Sequence, residues 1–198
     1  MLNNLLNYSV VLASNSPRRK ELLKGLGISF EVKVLKDIDE TYPDDLTGEE
    51  IPKYIANKKA DSWLNVISDN DLIITADTIV YLRDAQGNGR VLGKPKDIDS
   101  AKAMLVALSG NKHEVITGVC LLTKQKRMSF AVNTEVSFDN LSDEDIDFYI
   151  NTFKPMDKAG AYGIQEWIGF IGVNGLVGSY FNVMGLPVQR LYKELQKF

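Results

Sequence analysis

The chain has 198 residues, of which 44% are hydrophobic and 25% charged, a composition that supports a packed core and excludes a disordered profile. Its net charge of -3 argues against general attraction to nucleic acid or to an anionic membrane, so an anionic ligand requires locally gathered cations or a metal. The single cysteine, Cys120, excludes an intrachain disulfide and, inside the apolar run VITGVCLL, reads as a buried, inert thiol of a reducing cytoplasm.

Asn3, Asn4 and Asn7 interrupt the first apolar segment and no Lys or Arg precedes it, which argues against a secretory signal. No apolar run approaches the length of a membrane span. Residues 10–13 read as a short buried strand. Ser16 suits an N-cap, Pro17 the first helical position and Gly27 a stop, which predicts a helix over 18–26. Strand character follows over 28–35. Thr47 and Glu50 form a capping-box signature for a helix through about residue 66. LIITA, at 72–76, is a continuous apolar run, the mark of a strand covered on both faces. IVYLRDAQGNGRVLG then reads as a hairpin turning at Gly87, Asn88 and Gly89.

Ile98, Ala101, Met104, Leu105 and Leu108 recur at helical spacing, with Ser109 and Gly110 as the stop. Strands are expected over 113–123 and 128–138, then a helix capped by Ser142. The glycine-rich stretch 160–185 lacks a clear period and reads as loops with short strands, and Pro187 opens a terminal helix. Strands alternate with helices early and pair as hairpins later. The pattern predicts an α/β domain with a mixed sheet, one domain over 1–198.

Several chemistries are excluded. There is no GxxxxGK[ST] loop, GVNGLVG lacks dinucleotide-fingerprint spacing, and the sole histidine, His113, lies on a strand-like run. A Ser-His-Asp hydrolase and a Cys/His zinc site are therefore not supported. What remains is acids and cations at transitions between elements. Asp77 follows LIITA directly, where ligands collect beyond strand ends in α/β sheets; the competing reading is a turn cap. Lys94 follows a second strand, as a working cation or an exposed turn residue. In DIDE, Asp37, Asp39 and Glu40 cluster, and one of them can share a divalent cation with Asp77, since hard cations prefer oxygen. In ANKKA, Lys58 falls among Ile51, Tyr54 and Ile55, with Lys59 at the edge of that face. Either lysine snorkels or reaches a ligand. Gln165, ending DKAGAYGIQ, carries the paired donor and acceptor that read a base edge. Finally, Arg18 and Arg19 put two cations on a first helical turn, against the macrodipole, which suits an anion held at the helix N-terminus.

SNSPRRKELL, ADTIV with GKP downstream, LSGNKHEVITGV, DKAGAYGIQ and NVMGLP occur in one order. That set resembles the Maf (septum-formation) family of nucleoside triphosphate pyrophosphatases, over nearly the whole chain. The resemblance implies an elongated mixed sheet flanked by helices, with two lobes around a cleft (a Maf/ITPase-like fold), often assembled as a homodimer. It implies hydrolysis of the α–β phosphoanhydride of a nucleotide with a divalent metal, Mg²⁺ or Mn²⁺. On the matching positions, Asp77 is the catalytic acid or metal holder, with Glu40 as the second metal carboxylate. Ser14, Arg19, Lys59 and Lys94 meet the phosphates, and Arg18, Thr78 and Gln165 bear on substrate choice. DKAGAYGIQ is similar to the branch acting on dTTP and UTP rather than on 7-methyl-GTP. The partners expected are a small nucleotide and a second copy, with no nucleic acid or membrane, and the location expected is cytoplasmic. A nucleotide-binding regulator of cell division is the competing class. Two departures stand out: Glu166 and Trp167 follow GIQ, where the family commonly has glycine, and DIDE offers both Asp39 and Glu40.

Overall fold

The computed structural model describes residues 2–36, 38–84 and 86–198. Asp37, from the acidic cluster, and Ala85, at the hairpin tip, lie outside the described residues. In chain order the elements are β1 (Ser9–Leu12), α1 (Pro17–Gly25), β2 (Glu31–Val32), α2 (Glu50–Asp61), β3 (Asp71–Arg83), β4 (Gly89–Leu92), α3 (Ile98–Leu108), β5 (Lys112–Leu122), β6 (Arg127–Phe138), α4 (Asp143–Phe153), α5 (Trp167–Gly172), β7 (Val173–Val177), α6 (Tyr180–Val183) and α7 (Val188–Leu195). The strands follow the order β2-β1-β3-β5-β6-β7, with β4 paired to β3. β1 runs parallel to β2 and β3, whereas β3/β4 and β6/β7 are antiparallel. The mixed α/β class expected from the alternation is the one observed.

The chain divides into two compact units: Met1–Asp77, Thr117–Val132 and Gly185–Phe198 form the first, Thr78–Ile116 and Asn133–Met184 the second. In the first, Val11, Ile73, Cys120 and Leu122 pack with Ala56, Ala60 and Trp63. Burial pushes the Cys120 thiol up to about 12, so it is inert at neutral pH. In the second, α3 and α4 bury Leu105, Leu108, Ile146 and Tyr149 with Val115, Val136 and Phe138. His113 sits in that core: its Nε2 lies 2.7 Å from Tyr162 Oη, and burial pulls its pKa down to about 4. No helix among the described residues is long and apolar enough to cross a membrane.

Local signals explain several element starts. Ser16 Oγ accepts from Arg19 N with Pro17 at the helix start, and Ser142 and Asp145 form a reciprocal capping box. The apolar run Leu72–Ala76 is buried throughout, and its one hydroxyl, Thr75 Oγ1, donates to Ala56 O at 2.7 Å.

Four expectations are corrected. The strand over 28–35 shrinks to Glu31–Val32, because its partner β1 ends at Leu12, opposite Val32. α2 stops at Asp61 rather than near residue 66; tighter turns, with Trp63 N on Ala60 O and Val66 N on Trp63 O, carry the buried Trp63 into the core. Asp77 does not follow a strand end. β3 leaves β1 at Ile74 and continues to Arg83, where it pairs with β4, so Asp77 lies within the strand and beyond the end of β1 instead. The stretch 160–185 holds two short helices, α5 and α6, besides β7.

Candidate active site

The β1–α1 turn supplies the first group of residues. Ser14 is buried, and its Oγ accepts from Ser16 N at 3.3 Å and from Arg19 Nη1 at 3.4 Å. Arg19 also donates from Nη1 to Ala76 O at 2.8 Å and from Nε to Gly185 O at 2.8 Å. One guanidinium thus ties the turn, the strand beside Asp77 and the segment before α7. Burial lowers the Arg19 pKa, the Asp77 carboxylate works against that shift, and Arg18 adds to it; a guanidinium stays charged regardless. Arg18 is half-buried on the same helical turn.

The second group rests on α2. Lys59 Nζ lies 2.8 Å from Asp77 Oδ1 and 3.0 Å from Glu40 Oε1. Both Lys59 and Asp77 side chains are 14% exposed, whereas Glu40 is half exposed. Two carboxylates therefore converge on one ammonium in a partly desolvated setting, where charge interactions are stronger than in water.

Lys58 has a different task. Its ammonium reaches Asp39 Oδ2 at 2.8 Å, Thr41 O at 3.0 Å and Thr41 Oγ1 at 3.3 Å. Asp39 in turn accepts from Thr41 N and Thr41 Oγ1. The lysine clamps the two residues that flank Glu40. The Lys58 hydrogen bond, then those from Thr41, hold the Asp39 carboxyl well below the usual carboxylate range. Asp39 is thus engaged within its own loop, and between the two described acids of DIDE it is Glu40 that meets Lys59 with Asp77.

The expected residues separate accordingly. Ser14, Arg19, Glu40, Lys59 and Asp77 come together in the first unit. Thr78, next on β3, is half-buried in the second. Lys94 is exposed after β4, and its side chain makes no hydrogen bond or ion pair among the described residues. Gln165 is half-buried between the Ala159–Ala161 turn and α5. Sequence reasoning missed the Lys58 clamp, though Asp39 two residues before Thr41 is an Asx-turn signal. It also missed the Gly185 and Ala76 carbonyls, which no side-chain pattern announces.

Among the described residues, no three or more His, Cys, Asp or Glu side chains group as a metal cage. The donor set of Asp77 and Glu40 nonetheless fits a hard divalent cation: it is all carboxylate oxygen, and both acids already face one shared positive charge.

A mixed α/β chain with paired carboxylates, a shared lysine and a carbonyl-fixed arginine at a helix start has the parts for chemistry on an anionic substrate. The family described as Maf-like protein matches residues 9–198. A protein of Phocaeicola vulgatus named dTTP/UTP pyrophosphatase is 64% identical over 197 residues, all of both chains. One of the same name from Bacteroides thetaiotaomicron is 54% identical over the full length of both. Another from Porphyromonas gingivalis is 49% identical over all of this chain and 98% of its own. The chain belongs to the Maf family.

Proposed function

We propose that the chain is a pyrophosphatase hydrolysing dTTP and UTP at the α–β phosphoanhydride, to the nucleoside monophosphate and pyrophosphate. The observation that carries this reading is the convergence of Asp77 and Glu40 on Lys59, in a chain whose full-length relatives at 49% and 64% identity are named dTTP/UTP pyrophosphatases. Residues 1–198 act as one Maf-like domain. A cytoplasmic location suits a nucleotide-pool enzyme whose lone, buried Cys120 needs no disulfide partner.

In the reaction, water adds to phosphorus while the bridging α–β oxygen leaves with the pyrophosphate. Asp77 accepts the water proton. Lys59 holds the Asp77 carboxylate in place and offsets charge on the phosphate oxygens. Arg19 adds a guanidinium that the Ala76 and Gly185 carbonyls orient without neutralising. Ser14 and Lys94 are further phosphate donors. Asp77 and Glu40 would hold Mg²⁺ or Mn²⁺, which would supply charge against the negative phosphates. Arg18, Thr78 and Gln165 set substrate choice, Gln165 through its amide on the base edge.

The decisive assay incubates the purified chain with dTTP, UTP, 7-methyl-GTP and modified pyrimidine triphosphates in Mg²⁺ or Mn²⁺, following pyrophosphate and monophosphate. Equimolar pyrophosphate and monophosphate from dTTP and UTP, lost on adding EDTA, is the expected result. Release of orthophosphate would refute cleavage at the α–β bond. Tight nucleotide binding without product would favour the regulator instead.

For assembly, we propose a homodimer through β7. Among the described residues that strand pairs with β6 alone, and it and its chain neighbours carry exposed apolar side chains: Phe170 is 76% and Val177 71% exposed, with Tyr180 and Phe181 also exposed. An open strand edge flanked by apolar side chains suits self-pairing across a two-fold axis. Light scattering should give the mass of two chains at micromolar concentration, falling to one in Val177→Asp/Phe181→Asp. A monomeric wild type would end the proposal.

A further inference from the structure

In the second unit, the segment 157–166 is closed on itself by a buried cation. Lys158 is 7% exposed, and its Nζ lies 2.8 Å from Asp157 Oδ1 and 3.1 Å from Glu166 Oε1. The other Glu166 oxygen accepts a short hydrogen bond from Tyr149 Oη. Tyr149 Oη also accepts from Gly163 N at 3.0 Å, and Glu166 N donates to Gly163 O at 2.9 Å. Tyr149 is fully buried and stacks on Phe153. Burial first, then the Glu166 carboxylate, raise its pKa, so the phenol remains a proton donor at any working pH.

Glu166 occupies the N-cap position of α5, yet its side chain makes no cap hydrogen bond. The carboxylate instead turns back over the loop. Gly163 accommodates this: a Cβ there would sit 2.9 Å from Glu166 Cδ and 3.1 Å from Lys158 Cε, so one or both side chains would have to shift. The loop is shaped around the ion pair. Burying a lysine between two acids is costly and weak evidence for stability; such groups are retained in some proteins for a defined local conformation.

The residue between these anchors is Gln165. On one side Ile164 is buried in the core, and on the other Glu166 is fixed through Lys158 and Tyr149. We propose that Glu166 is a positioning residue for Gln165, and that the Tyr149–Glu166–Lys158 network sets how strictly the enzyme discriminates pyrimidine from purine triphosphates. This rests on the reading above that Gln165 meets the base.

The test uses the full chain and four variants: Glu166→Gln, which keeps the shape and removes the charge, Tyr149→Phe, Gln165→Ala, and the double Glu166→Gln/Gln165→Ala. Thermal unfolding first identifies variants that fold; Tyr149→Phe, which loses one hydroxyl, keeps the test open if Glu166→Gln does not. Glu166→Gln is expected to raise KM for dTTP and UTP about 10-fold while kcat falls less than about threefold, the pattern of lost binding rather than lost chemistry. Discrimination against dGTP should fall in parallel, and the double variant should match Gln165→Ala alone, because the two residues act as one unit. An equal loss on all nucleotides, or additive effects in the double variant, would overturn the inference. If Gln165→Ala relaxes discrimination and Glu166→Gln does not, the positioning role fails alone. If Gln165→Ala leaves discrimination untouched, the base reading and this inference fall together.

Discussion

Asp77→Asn should cut pyrophosphate release from dTTP and UTP by at least about a thousandfold, from the combined loss of a proton acceptor and a charge. The amide has nearly the same shape as the carboxylate, and Asp77 lies within β3 with its strand neighbours Ala76 and Thr75 buried and unaltered. Lys59 would keep Glu40 as a counter-charge at 3.0 Å, so it is not left as an isolated buried cation. Stability is therefore expected to change by about 1 kcal/mol or less, roughly 2–4 °C in Tm for a chain of this size. The two readouts separate the roles. A large loss of turnover with a preserved melting curve marks chemistry, whereas near-wild-type pyrophosphate release would remove Asp77 from the mechanism.

The arginine pair on α1 is partly answered by the protein itself. Two cations on a first helical turn oppose the macrodipole, and the sequence offers an anionic ligand as the remedy. The structure provides another for Arg19: carbonyl oxygens from Ala76 and Gly185, with the Asp77 carboxylate near enough to act on its charge. Arg19 is thus a fixed charge beside the strand that carries Asp77 before any substrate arrives. That preorganisation is what charge stabilisation of a phosphoryl transition state needs, since donors already in place do not have to reorganise as charge develops.

What was legible in the sequence was the chemistry of local starts and the ordered motif set. Ser16 with Pro17, Ser142 with Asp145, and the LIITA run all carry their cause within a few residues. What was not legible depended on distant partners. The length of β2 is set by where β1 ends, and the far end of β3 by its pairing with β4. Periodicity alone ranks the lysines of α2 in the wrong order for a similar reason. Counting Tyr54 as apolar placed Lys58 on the buried face, but Tyr54 is exposed and the face is built from Ile51, Pro52, Ile55, Ala56 and Ala60. Lys59, three residues after Ala56 and four after Ile55, belongs to that face. Small alanines are weak signals in a periodicity count, yet here they mark the side on which the helix approaches the sheet. The glycines of 160–185 misled in the same way: at Gly169 a Cβ would fall 1.9 Å from Ile164 O, so that glycine serves close packing of α5 rather than a loop.

The close approach of α2 makes Gly118→Ala a strongly damaging small substitution, and one whose effect should reach Lys59. A Cβ at Gly118, on β5, would lie 2.3 Å from the carbonyl carbon and oxygen of Pro52 and 2.4 Å from Lys53 N. Those are backbone atoms of α2, which cannot step aside as a side-chain end can, so the helix must move. Overpacking of this kind costs about 1–3 kcal/mol, and a backbone clash belongs at the upper end; the corresponding fall in Tm is roughly 6–12 °C. The movement also reaches the site. Lys59 lies about two helical turns beyond Pro52, and the hydrogen bond from Thr75 Oγ1 to Ala56 O fixes the same helix against β3. Displacing a charged group by about 1 Å can cost on the order of a hundredfold in rate, so kcat/KM should drop at least about tenfold at temperatures well below the new Tm. Gly25→Ala is the control: its Cβ meets nothing within 4 Å, it lies at the end of α1, and alanine favours helix by up to about 1 kcal/mol, so its Tm should hold or rise. A wild-type melting curve for Gly118→Ala would refute the packing argument. A lowered Tm with unchanged kcat/KM would show that Lys59 keeps its place when α2 shifts, held by Asp77 and Glu40 rather than by the helix beneath it.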